Sequence, residues 1–295
     1  MTDTDTDTQV NDSLSTGSMN INSMKIDSLI KQLKDKHKIW ILTGAGISAP
    51  SGIPTYRDDK GQWKSANPIQ HNDFINHHSY RQRYWARSMV GWKMTGRAKP
   101  NATHMAIAKL QQSGRVSQLV TQNVDGLHTI AGSRDIIDLH GRLSEIKCLD
   151  CDDISQRSAY QPRLIQNNPE LNNYKATIMP DGDANVEDFD MSKITIPPCE
   201  HCGGTLMPNV VFFGGIVPRA RVNKAFSTLA ESDCLLVVGS SLTVFSGFRF
   251  PRWASQNELP MYAVNQGEMR GQELFSHILT EPCEAVLPII AKALA

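Results

Sequence analysis

Four cysteines are spaced for a specific chemistry. Cys148 and Cys151 form one Cys-x-x-Cys pair and Cys199 and Cys202 a second. Two tight knuckles offering four thiolates suit a closed tetrahedral zinc shell, and a closed shell leaves no position for a substrate. The zinc is therefore expected to be structural, holding a segment too polar to fold alone. His201 lies inside the second knuckle and could in principle be a ligand, but the cysteines already complete the shell. The competing reading is a pair of redox dithiols.

A second candidate is Gly44-Ala45-Gly46-Ile47-Ser48-Ala49, which follows the apolar run Ile39-Trp40-Ile41-Leu42-Thr43. It fits the G-x-G-x-x-G/A loop, whose glycines let the backbone turn tightly and approach a pyrophosphate, although glycine turns after strands are common. A dehydrogenase would carry an acidic residue about 20 positions on to hold the ribose. Lys64-Ser65-Ala66 offers none, and Gly52-Ile53-Pro54-Thr55-Tyr56-Arg57 follows the loop instead. A dinucleotide bound here is not expected to be a hydride carrier.

Two further groups lie at strand ends. Gln122-Asn123-Val124-Asp125 closes a strand with three polar side chains, and Asp125 either faces a ligand or caps a short helix through His128. His140, in Asp138-Leu139-His140-Gly141, ends another apolar strand, with a glycine beside it to open access. A neutral imidazole with a pKa of about 6.5 is the natural general base near neutral pH, though a lone histidine is more often structural.

The elements that must position these groups alternate. Ile26, Leu29, Ile30 and Leu33 make the stripe of an amphipathic helix beginning near Met24. A helix near Thr103 to Gln112 follows, then strands Gln118 to Thr121 and Ile136 to Leu139, a helix around Arg219 to Glu231, and strands Cys234 to Val238 and Met261 to Val264. Strands that end repeatedly in Gly, Ser or Asn are what a parallel sheet needs at its ligand edge. Residues 52–99, with a polar, arginine-bearing helix around Tyr80 to Trp92, read as a small helical lobe. Gln161 to Asp190, rich in Asn, Pro and Asp, reads as a long surface loop. The expected class is α/β, with a four-cysteine module inserted into the sheet domain.

Composition narrows the partners. Lys plus Arg and Asp plus Glu both total 30 in 295 residues, so there is no chain-wide basic footprint and nucleic acid is a poor first guess. No apolar run approaches the roughly 20 residues needed to span a bilayer. Six cysteines, four of them in metal-type pairs, fit a reducing cytosol better than a disulfide scaffold. Residues 1–24 carry Asp3, Asp5, Asp7 and Asp12 and no Lys or Arg, which argues against a secretory signal or basic transit peptide and points to a disordered tail.

Taken together, Gly44-Ala45-Gly46-Ile47-Ser48, Gly52-Ile53-Pro54-Thr55-Tyr56-Arg57, Gln122-Asn123-Val124-Asp125, Leu139-His140-Gly141, the cysteine pairs, Val211-Phe212-Phe213-Gly214 and Gly239-Ser240-Ser241 resemble the sirtuin family from about residue 25 to the end. Pro68-Ile69-Gln70-His71, Arg81-Gln82-Arg83-Tyr84-Trp85-Ala86-Arg87, Gly91-Trp92 and Pro180-Asp181-Gly182-Asp183 look like the class II branch that contains mitochondrial sirtuin-4. The resemblance implies a Rossmann-type parallel-sheet large domain, from residues of about 25–52, 100–141 and 214–295. It also implies a small domain made of a helical module, about 53–99, and a zinc-ribbon module, about 142–213. NAD and an acylated lysine of a protein would meet in the cleft between them.

By the same resemblance, Gly44, Ala45, Gly46, Ser48, Ile53, Pro54, Tyr56, Arg57 and Trp63 would wrap the NAD. Gln122, Asn123, Val124 and Asp125 would shape the nicotinamide pocket, and Gly239, Ser240, Ser241, Asn265, Gln266, Gly267 and Cys283 the adenosine half. The acyl oxygen would attack the nicotinamide ribose carbon, with Asn123 beside it, and His140 would take a proton from a ribose hydroxyl. NAD would thus be a co-substrate that is consumed, giving nicotinamide, free lysine and O-acyl-ADP-ribose. Val210, Phe212, Phe213 and Gly214 resemble a strand that clamps substrate peptide by β-augmentation. Thr55 and Gly215 stand where acidic residues are usual in the family. Tyr84 and Arg87 match a Tyr-x-x-Arg pair that accepts acidic acyl groups, unless Arg87 merely sits on a solvated helix face. The alternatives are a protein mono-ADP-ribosyltransferase or lipoamidase, or a non-catalytic NAD-sensing module whose zinc ribbon docks a partner. The expected oligomeric state is a monomer.

Overall fold

A computed structural model describes residues 23–55, 58, 68–172, 174, 186 and 189–295. Tyr56, Arg57, Trp63, Pro180-Asp181-Gly182-Asp183 and the expected disordered tail through residue 22 lie outside the described residues. In chain order the elements are α1 (Ser23–Lys34), β1 (Ile39–Thr43), α2 (His71–Asn76), α3 (His78–Thr95), α4 (Ala102–Gln112), β2 (Val116–Thr121), α5 (Leu127–Ile130) and β3 (Ile136–Asp138). Then come β4 (Gly141–Cys148), β5 (Ile154–Gln156), α6 (Arg157–Asn167), α7 (Pro169–Asn172), β6 (Leu206–Val210) and α8 (Arg219–Ala230). The chain ends with β7 (Cys234–Val238), α9 (Phe245–Gln256), β8 (Met261–Val264), β9 (His277–Leu279) and α10 (Cys283–Leu294).

Six parallel strands pair in the order β3-β2-β1-β7-β8-β9. Every residue of β1, β7 and β8 is buried, because helices cover both faces of the sheet. On one face α1, α4 and α10 pack Leu29, Leu33, Ile107, Leu110, Leu287 and Ile290 against Ile39, Ile41 and Leu236. On the other, α8 and α9 pack Ala225, Leu229 and Phe250 against Trp40, Leu42 and Leu235. Strand order reverses between β1 and β7, and the crevice beyond their carboxyl ends is where open α/β sheets bind ligands.

The small domain centres on an antiparallel sheet of order β5-β4-β6. The helices α2, α3, α6 and α7 share one core with it, joining Phe74, Tyr84, Trp85 and Met89 to Ile146, Tyr160, Leu164 and Leu206, with Cys148 and Cys199 inside. Arg157 is buried at its centre, its guanidinium 5.1 Å from the Trp92 ring and 5.5 Å from the Trp85 ring. These rings solvate the charge through their π faces.

Three expectations change. The segment from Gln161 to Asp190 is not a loop throughout, since α6 and α7 carry helix to Asn172. Its polar residues satisfy neighbouring backbone: Gln161 Nε2 donates to Met89 O at 2.8 Å, and Asn168 Nδ2 to Leu164 O and Thr195 O at 2.8 and 2.9 Å. The arginine-bearing helix α3 does not carry Arg87 on a solvated face either, because Tyr84 through Val90 are buried, Arg87 among them at 8% exposure. Finally, Gly141 is there for packing. It has φ +84°, and a Cβ on it would lie 1.9 Å from Asn209 O on β6.

Candidate active site

The first wall of the crevice is built where β1 and β7 end. Gly44 N donates to Val238 O at 3.2 Å and Gly46 N to Gly239 O at 2.9 Å. A Cβ on Gly44 would fall 2.7 Å from that of Ser240, and one on Gly46 would fall 2.9 Å from Gly239 O. The glycines are thus required by the approach of the β7 loop. The loop opens no α-helix; it coils into two short 3-10 turns, Ala45–Ile47 and Ala49–Ser51, so the phosphate-binding helix terminus of a dehydrogenase is absent.

The end of β2 supplies the second wall. Asn123 Nδ2 donates to Gly44 O at 3.1 Å and to Ser48 Oγ at 3.0 Å, and Ser48 Oγ donates to Asp125 Oδ2 at 2.7 Å. Asp125 also accepts the Leu127 N–H on Oδ1 at 2.8 Å, so it both lines the site and caps α5. Burial raises its pKa above the ordinary carboxylate value, opposed by the hydrogen bonds from Leu127 and Ser48. Gln122 Nε2 reaches across to Ser240 Oγ at 2.8 Å, joining the β2 and β7 loops.

His140 stands where β3 turns into β4. Its Nδ1 lies 2.8 Å from Gln122 O, which can only accept, so Nδ1 carries the proton. The other nitrogen, Nε2, is then the basic one and receives the Ser246 Oγ hydrogen at 2.7 Å. Burial lowers the His140 pKa, the Gln122 carbonyl opposes that, and the charges of Arg221 and Arg249 push further down. The ring is held neutral and base-competent at neutral pH.

These groups line one cavity of about 810 Å³ between the two domains, within the size range of nucleotide and drug-sized ligands. It takes in His140 and, of the described nucleotide contacts expected from sequence, every one except Gly267, whose carbonyl instead accepts from Asn265 Nδ2 at 3.3 Å. Cys283 and Asn265 lie at one end. At the other, Tyr84, Val210, Phe212, Phe213 and Gly214 meet Ile69 and Leu143. Arg87 does not line it, and being buried it is not on a solvated face either. The stretch after β6 is also less open to pairing than a free strand edge: Phe213 O accepts from His71 N at 2.8 Å and Phe212 O from Gly215 N at 2.9 Å. Ser246, Arg249 and Leu143 are site residues that sequence reasoning missed, since nothing in their spacing marks them.

The four cysteine sulfurs lie within 4.8 Å of one another, with Cys148 and Cys202 at 3.5 Å and Cys151 and Cys199 at 3.9 Å. Tetrahedral Zn–S bonds of about 2.3 Å would set sulfurs about 3.8 Å apart, so the cluster fits zinc. The knuckles are closed by backbone, with Gly203 N donating to Cys199 O at 2.9 Å.

A sequence model of the Sir2 family matches residues 44–246. The chain belongs to that family, the sirtuins. Its relatives include proteins named NAD-dependent protein deacetylase in Bordetella bronchiseptica, 48% identical over 86% of this chain and 93% of theirs, and in Xanthomonas axonopodis pv. citri, 49% identical over 86% of each. Among solved structures, one Sir2 enzyme superposes with a TM-score of 0.72 at 30% identity, covering 92% of this chain and 98% of that one. A Sir2 complex with a p53 peptide and NAD+ matches at a TM-score of 0.72 and 26% identity, over 91% of this sirtuin and 98% of the other chain. Both span its large and small domains, so the cleft between them belongs to the family fold.

Proposed function

We propose that this sirtuin is an NAD-dependent protein-lysine deacylase that transfers the acyl group from lysine to ADP-ribose. The observation that carries this is His140, whose unprotonated Nε2 is held at the cavity wall by Gln122 and Ser246. When bound, NAD supplies a ribose carbon activated by its nicotinamide leaving group. The backbones of Gly44, Gly46 and Gly239 line the cavity and would border it there. Ser48, Asn123 and Asp125 hold the nicotinamide end through their mutual hydrogen bonds. His140 Nε2 accepts the proton of a ribose hydroxyl once the Ser246 hydroxyl turns aside. The apolar end near Ile69 and Phe212 receives the acyl chain and excludes water from it.

Turnover of acylated peptides tests this directly. Nicotinamide should be released with at least one of acetyl, succinyl, glutaryl or lipoyl peptide, and silence across all four would overturn the reading. His140→Ala should abolish turnover and spare NAD binding; full activity in that variant would remove the histidine from its role and favour a non-catalytic module. A finer placement near class II and mitochondrial sirtuin-4 is supported by the sequence resemblance of Pro68-Ile69-Gln70-His71 and of Arg81 to Arg87. On it rests the alternative of mono-ADP-ribosylation or lipoamide cleavage, which labelled NAD that marks no protein and lipoyl peptides left uncleaved would exclude. A reducing, cytoplasmic setting is supported by the metal-type spacing of four of the six cysteines, and fractionation of the native protein checks it.

A further inference from the structure

Behind the wall that carries Asn123, buried polar side chains form a chain that the catalytic reading does not use. His104 on α4 and His128 on α5 are fully buried, with ring centroids 4.9 Å apart in an edge-to-face arrangement. Their tautomers follow from their neighbours. The Asn101 N–H donates to His104 Nδ1 at 3.4 Å, which makes Nδ1 the lone-pair nitrogen and places the ring proton on Nε2. Thr43 Oγ1 gives its own hydrogen to Thr121 Oγ1 at 2.8 Å, so its lone pair receives the His128 Nε2–H at 2.9 Å. His128 Nδ1 is left as an acceptor.

A buried donor, His104 Nε2, and a buried acceptor, His128 Nδ1, therefore sit on adjoining rings, and neither has a hydrogen-bond partner among the described residues. Thr103 Oγ1 beside His104, and Ser133 Oγ just past α5, are buried and unpartnered as well. Buried polar atoms are almost always paired, and a water with about three polar partners is the usual way such groups are joined. Burial lowers the pKa of His104 to about 4 and that of His128 to about 3, so both rings stay neutral around pH 7 and the bond directions are fixed.

One end of the chain ties to the loop that follows Gly46, and the other reaches Asn123 in the cavity wall. Asn101 Nδ2 donates to Ile47 O at 2.7 Å and Ser51 Oγ at 2.9 Å, tying the His104 end to the loop after Gly46. At the other end Asn123 N donates to Thr121 Oγ1 at 3.1 Å, and the Asn123 side chain grips Gly44 and Ser48. We propose that His104 and His128, joined by one buried water, are positioning residues that lock Ser48 and Asn123 in the cavity wall and so set the affinity for the nicotinamide end of NAD. The ligand named here rests on the deacylase reading.

The test uses the full chain and Thr43→Val, which removes the hydroxyl in the middle of the chain at a residue that does not itself line the cavity and leaves its carbonyl to accept from Gln122 N. Titration calorimetry should show NAD and free nicotinamide bound about tenfold more weakly, the worth of one buried hydrogen bond, with acetyl-peptide affinity unchanged. In the chain that keeps Thr43, His128→Gln, which still offers an N–H to its hydroxyl, should hold NAD affinity close to wild type, and His128→Leu should weaken it as Thr43→Val does. Long-range proton–nitrogen spectra of the wild type should find the ring proton on Nε2 of both histidines. NAD affinity of Thr43→Val within about twofold of wild type, whatever its melting temperature, would overturn the proposal, as would a His128 proton on Nδ1. A wild-type chain that binds NAD and releases no nicotinamide would overturn the deacylase reading alone.

Discussion

Ser246 donates to the nitrogen of His140 that must take a proton, and this sets how the site responds to pH. That hydrogen bond favours the neutral ring, as burial does, so the acidic limb of kcat/KM should lie below the ordinary histidine range. Ser246→Ala removes one of these two influences. The limb should move toward higher pH while turnover survives, and a pH–rate profile of the variant that overlays the wild type would remove Ser246 from the assignment. Of these two residues, His140 could be picked out in the sequence by its place after an apolar strand. Ser246 could not, because it lies 106 residues away and meets the ring only after α9 packs on the sheet.

At the scale of elements, β4 and β6 carry a local constraint with a measurable cost. Gly141 combines φ +84° with the near contact to Asn209 O, so Gly141→Ala must part the two strands at the foot of His140. A loss of about 3 kcal/mol or more in denaturant unfolding is expected, in the range of strained-backbone and overpacking substitutions. The zinc knuckles act on a larger unit. Cys148 and Cys199 lie in one core with Trp85 of α3 and Tyr160 of α6. Cys148→Ser should therefore lose zinc, lower the melting temperature and raise hydrogen exchange in α3 and α6 together; retained zinc with a native melt would contradict the structural role. The knuckles were legible from spacing alone. Helices α6 and α7 were not, because their Gln and Asn residues read as loop until the backbone groups they satisfy are in view.

Across the whole molecule, buried histidines weaken the fold on the acid side of the stability profile. His104 and His128 have folded pKa values lowered to about 4 and about 3 by burial, against 6.5 for the free group. Below pH 6.5 the unfolded chain binds protons that the folded chain refuses, so stability falls as pH drops from 6.5 toward 4. Each histidine contributes at most about 1.4 kcal/mol per pH unit in that window. His140 acts in the same direction, and the raised carboxyls of Asp125 and Asp138 act in the opposite one, since they favour the protonated fold. Urea unfolding at pH 7 and pH 5 should show the lower stability at pH 5, and His104→Gln should flatten the difference. A profile flat between those two values would mean that the pair is open to bulk solvent.

By itself the sequence determined the periodic core, the ligand edge of the sheet, the zinc knuckles and the glycine loop. Each is written in short-range spacing: an apolar run, a glycine after it, two cysteines three apart. Tertiary structure alone decided what the glycines are for, which histidine nitrogen is basic, where Arg87 lies and that the rings of His104 and His128 meet in the interior between Asn101 and Thr43. Those facts depend on side chains brought together from distant strands and helices, and on which hydrogen bonds remain unmade once the interior is closed to solvent.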